Sequence, residues 1–129
     1  MLQRSAELIA QINAAGAKLS LGQRAKIDVS SDDADRLILI CYGVKDDAFQ
    51  DATEGLDAIT RWRLRHVVSE ANPSAFAWIR NGRIVSIDYV KFNITMHATI
   101  VAWDAQPGQE ILVEKHRNEE YGYEYSEIK

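Results

Sequence analysis

Residues 91–103 read Lys-Phe-Asn-Ile-Thr-Met-His-Ala-Thr-Ile-Val-Ala-Trp, and their alternation constrains the fold more than any other stretch of this chain. Successive side chains of an extended backbone point to opposite sides. Phe92, Ile94, Met96, Ala98, Ile100 and Ala102 therefore share one side, and Lys91, Asn93, Thr95, His97 and Thr99 the other. The pattern predicts a long half-buried β-strand over 91–103. One of its faces needs a covering layer, and the other offers a polar row to water or to a partner.

A hairpin precedes it. Asn81-Gly82 separates 76–80 from 83–89, and both residues of such a turn must accept positive φ, which Asn and Gly do at least cost. After 103, Gln106-Pro107-Gly108-Gln109 supplies a turn, and 110–117 reads as a further strand. Residues 118–129 carry Tyr121, Tyr123 and Tyr125 at period two among four glutamates. They read either as a terminal strand or as a flexible acidic tail.

The first half has a different grammar. Leu8, Ile9 and Ile12 mark a helix over 5–15, with Gly16 placed as its C-terminal cap. Residues 25–29 alternate and read as a short edge strand. Ser31 and Asp32–Asp35 have the form of a helix N-terminus, which favours helix over 37–41; a buried strand over 36–42 is the competing reading, since so short an apolar run has no usable period. Phe49, Ala52, Leu56, Ile59 and Val67 form a helical stripe, with a kink or break expected at Gly55 and an end near Asn72-Pro73. Helices followed by strands predict an α+β domain spanning 1–129, its N-terminal helices packed on one face of a mostly antiparallel C-terminal β-meander of four or five strands.

Composition narrows the function classes. A chain of 129 residues with 47% apolar and 26% charged residues is long enough for a core of its own. The net charge of −4 weakly disfavours phosphate backbones and anionic membranes. One cysteine, Cys41, permits no internal disulfide, and no export signal or membrane span is evident, so a cytoplasmic location is expected.

No nucleotide loop, calcium loop or zinc spacing is present, and no catalytic, metal or cofactor site is expected. His66, His97 and His116 have no ligand-like spacing to one another or to Cys41. Two residue sets remain. His97, mid-strand on the polar face, could line a small-ligand pocket with Asp88, Tyr89 and Trp103. Trp62 with Arg61 and Arg65, and separately Tyr121, Tyr123 and Tyr125, have the composition of a protein interface. Arg61, Arg63, Arg65, Arg80 and Arg83 make a weaker case for nucleic acid, because helical geometry scatters the first three. The sequence thus predicts a small acidic protein-interaction module without catalysis: an inhibitor, an immunity-type protein, or an accessory protein that pairs with a second copy of itself. The alternative is a small-ligand-binding protein or weakly specified enzyme with its pocket around His97, Asp88 and Tyr89.

Overall fold

The two apolar runs that lack alternation lie side by side. Leu37–Cys41 and Ala75–Ile79 form neighbouring antiparallel strands, with Leu37 opposite Trp78 and Leu39 opposite Phe76. The computed structural model describes residues 1–129. In chain order it contains α1 (Gln3–Lys18), β1 (Arg24–Asp28), β2 (Arg36–Cys41), α2 (Asp46–Ala52), α3 (Ala58–Arg65), β3 (Ser74–Arg80), β4 (Arg83–Tyr89), β5 (Ile100–Asp104), β6 (Glu110–Arg117) and β7 (Glu124–Ile128). The α+β class holds, with three helices and seven antiparallel strands in two sheets, ordered β4-β3-β2-β5 and β1-β6-β7.

β2 and β3 are central strands covered on both faces, which is why neither alternates. Leu37, Leu39, Phe76 and Trp78 face α1 and the second sheet, joining Leu8, Ile12, Ile27, Ile111, Val113 and Ile128. Ile38, Ile40, Ala75, Ala77 and Ile79 face the other way, onto Phe49 of α2, Leu64 of α3 and Leu56 between them. The helices thus divide between the two faces of the four-stranded sheet. Burying a side chain such as Leu39 or Phe76 contributes roughly 1.5–3 kcal/mol, and these two strands concentrate that gain.

The helix reading of 37–41 is therefore corrected to strand. Local capping signals at Ser31 and the aspartates lose to pairing on both sides, with β3 on one edge and β5 on the other. Gly16 is also reassigned. α1 continues to Lys18, and buried Gly16 lies within it. The expected turn at Asn81 and Gly82 is present, with φ of +52° and +77°. Gly55, at φ +84°, breaks the helical stripe into α2 and α3. Within the acidic C-terminal stretch, Glu124–Ile128 form β7, paired with β6, and Tyr121 and Tyr123 lie before it.

The long strand over 91–103 is reduced to β5. Residues 91–97 keep the expected alternation of burial, with Phe92, Ile94 and Met96 half-buried against the core and Lys91, Asn93, Thr95 and His97 exposed; it fails at the next two positions, where Ala98 is exposed and Thr99 half-buried. What they lack is a ladder. β4 and β5 are opposite edges of one sheet, so the chain must cross the ends of β3 and β2 between them. Three strand spacings are about 14 Å, and an extended segment crossing them has no parallel neighbour to pair with. One isolated bridge, Met96 to Ser126, ties the crossing to β7.

This crossing explains Gly16. A Cβ built there would lie 2.3 Å from Cγ2 of Ile94, so α1 and the crossing segment touch through the missing side chain. Alanine gains about 1 kcal/mol of helix propensity over glycine, yet overpacking costs about 1–3 kcal/mol. Gly16→Ala is therefore expected to lower stability in urea unfolding. In an Ile94→Ala background the same substitution should be neutral or stabilising; a stabilising Gly16→Ala in the parent chain would refute the close approach.

Candidate functional site

Of the four residues expected around a ligand, the fold brings two together. Asp88 turns towards α1, where it is buried. Its carboxylate accepts from Ser5 Oγ at 2.6 Å, from the Leu2 N–H at 3.1 Å and from Ser86 Oγ at 3.1 Å. Ser5 Oγ in turn accepts from Trp78 Nε1 at 2.7 Å. This chain satisfies every buried polar group in it and places a carboxylate at the positive end of α1. Trp103 is also buried, in the core between the sheets.

Tyr89 and His97 instead line an open groove of about 710 Å³ between the ends of β2 and β3 and the crossing segment. Its wall includes Tyr42, Ser74, Phe92 and Met96. Tyr42 and Tyr89 are each half-exposed. The hydroxyl of Tyr89 donates to the Val67 carbonyl at 3.0 Å. Cys41 is buried at the groove floor, where its Sγ accepts from Ser74 Oγ at 3.6 Å. The Asn93 N–H donates to the Asn13 side chain at 2.8 Å, and the Thr95 carbonyl accepts from the Ser126 N–H at 2.7 Å.

His97 links this groove to the tail. Its ring stacks on Tyr125, with centroids 4.1 Å apart, and its Nε2 lies 3.1 Å from Tyr123 Oη. Tyr125 lies next to His116, at 5.7 Å between centroids. The ligand candidate and two interface candidates thus form one aromatic cluster, while Tyr121 stands exposed apart from it. Beyond Tyr125 the β6–β7 register sets Glu114 opposite Glu127. His116 Nε2 lies 3.1 Å from a Glu114 oxygen and 3.0 Å from a Glu127 oxygen. Sequence reasoning missed this group because its members are thirteen residues apart in sequence at the extremes. The legible trace was Glu114-x-His116, two residues on one strand face.

α3 carries the other candidate surface. It buries Thr60 and Leu64 and turns Ile59 and Trp62 outward, 75% and 65% exposed. Trp62 packs on His66 with centroids 4.6 Å apart. The two flanking arginines face α2: Arg61 donates to Gln50 Oε1 at 3.2 Å, and Arg65 pairs with Asp46 with its guanidinium 4.9 Å above the Phe49 ring. Arg80 donates to the Asp32 carbonyl, and Arg83 lies close enough to Asp57 to act on its charge. The arginines are thus distributed among separate partners.

Two carboxylates are held below their ordinary value. Asp57 caps α3, accepting from the Thr60 N–H at 2.7 Å, and this bond lowers its pKa, with Arg83 adding to the effect. Asp28 is lowered chiefly by the hydroxyl and N–H of Ser30, with Arg4 contributing. No family model, curated protein or solved structure matches this chain. No helix is long and apolar enough to cross a membrane.

Two outcomes follow from these contacts. Ser5→Ala leaves Trp78 Nε1 and the Asp88 carboxylate short of a partner, and should cost about 1–3 kcal/mol in denaturant unfolding; a loss below about 0.5 kcal/mol would remove the network from the account. The depressed Asp57 contributes stability above the ordinary carboxylate value of 3.8, and that contribution is lost as pH falls through its folded value. Asp57→Ala should therefore lower the thermal midpoint at neutral pH and differ less from the parent near pH ~2.5; an undiminished gap at low pH would contradict the depressed pKa.

Proposed function

We propose that this chain is a non-catalytic protein-interaction module whose binding surface is the exposed ridge of α3. One observation carries the reading. Ile59 and Trp62 lie one turn apart on the same side of the helix, and both are left open to solvent. Trp with neighbouring Arg is the composition of interface hot spots, and a helix-borne Trp brings a large apolar area at small entropic cost. Arg63 lies beside the ridge, and Arg61 and Arg65 are held at its α2 side by contacts that surface exposure makes weak. Such a surface suits a partner protein, or a second copy of this chain, with an apolar centre and an acidic rim. An inhibitor, an immunity-type protein and a self-associating accessory protein all belong to this class. The single free cysteine supports a reducing compartment such as the cytoplasm.

A second reading rests on the groove. Its volume falls in the range of small-molecule sites, and Tyr89 and His97 supply polar groups over an apolar floor. A small ligand there would make the chain a binding protein.

One comparison separates the two. Complexes captured by the immobilised parent chain, including its own dimer by light scattering, should be lost in Trp62→Ala and Ile59→Ser and kept in Met96→Arg, each variant retaining the parent circular dichroism. Loss in Met96→Arg with indifference to Trp62 and Ile59 would move the function to the groove.

A further inference from the structure

The geometry points to a divalent transition-metal site of the Zn²⁺ class on the outer face of the second sheet, formed by Glu114, His116 and Glu127. These residues share nothing with the α3 ridge. Glu114 and His116 are two apart on β6 and so share a face, and the register brings Glu127 of β7 directly opposite Glu114. One donor atom from each lies within 4.8 Å of the others. The His116 Nε2 contacts, 3.1 Å to Glu114 and 3.0 Å to Glu127, match the edge of a coordination shell. Donors at about 2.1 Å from a common ion are separated by roughly 3.0–3.4 Å. Little movement is needed for an ion to replace the hydrogen bonds between these atoms.

Electrostatics favour a cation at this point. Like charges directly opposed across a ladder repel, and Glu114 and Glu127 are such a pair. The chain supplies its own counter-charge in the Lys129 ammonium, 3.5 Å from Glu114 and 3.7 Å from Glu127. Lys129 is half-exposed on a flexible stem, so it competes with an ion and can swing away. The donor set selects the metal. An imidazole nitrogen with two carboxylates suits Zn²⁺ or Co²⁺, whereas Mg²⁺ and Ca²⁺ favour all-oxygen shells. Three protein ligands leave at least one position for water. Binding requires the Nε2 lone pair, so any proton on that nitrogen is released to solvent. The partly open surroundings of His116 and Glu127 give the ion a path in.

The test uses the full chain after chelator treatment, titrated with ZnCl₂, CoCl₂ and MgCl₂ by calorimetry and by thermal melting. Saturable one-to-one binding of Zn²⁺ and Co²⁺ with a raised thermal midpoint is expected, and none for Mg²⁺. His116→Gln and Glu127→Gln should each weaken Zn²⁺ at least about tenfold, and Lys129→Ala should tighten it. His97→Gln and His66→Gln should bind as the parent does. If His116→Gln does not fold, the Glu127 and Lys129 variants carry the comparison. Parent-like Zn²⁺ affinity in both Glu127→Gln and Lys129→Ala, equal response to Mg²⁺, or no saturable binding below ~1 mM would overturn the assignment.

Discussion

Burial of β2 and β3 on both faces is the constraint from which the rest of the architecture follows. A sheet with one oily face needs one covering layer; a strand pair with two needs two. On one side α1 and the second sheet meet Leu37, Leu39, Phe76 and Trp78. On the other, α2 and α3 meet Ile38, Ile40, Ala75, Ala77 and Ile79. The break at Gly55 lets two short helices cover a surface that one straight helix would overrun. The Trp78–Ser5–Asp88 chain then orients α1 on its layer through directional bonds, where apolar contact alone would allow sliding.

The candidate surfaces lie where this packing runs out. The four-stranded sheet ends at Cys41 and Ser74, and the chain crosses that end as an extended segment without a ladder. The groove, Tyr89 and His97 are all products of that crossing. The α3 ridge arises similarly, since a helix that covers a sheet with Thr60 and Leu64 must present its other side to solvent. The Glu114–His116–Glu127 group sits on the outer face of the second sheet, whose inner face is occupied by Ile111, Val113 and Ile128.

Several site residues were legible one at a time but not in combination. Trp62 stood out, yet whether it would be exposed depended on which side of α3 met the sheet. Asp88 and His97 were both visible as polar groups near strand ends. Their separation follows from the crossing segment, which carries His97 to Tyr123 and Tyr125 while Asp88 stays with Ser5. Along the chain, His116 has no ligand-like spacing to the other histidines or to Cys41. The relevant spacing was across a ladder, and ladder register is a property of paired strands.

By itself the sequence determined the local grammar: α1, the Asn81-Gly82 hairpin, the break at Gly55, the turn at Pro107-Gly108, and the alternation of Phe92, Ile94 and Met96 against their polar neighbours. Each depends on backbone preferences or on a period within a few residues, so neighbours in sequence suffice to express it. The tertiary structure alone decided that 37–41 is a strand, that 91–99 has no partner strand, that the helices divide between two faces, and that Glu114, His116 and Glu127 converge. Those outcomes depend on which edges and faces are already occupied, and occupancy is settled by residues distant in the chain.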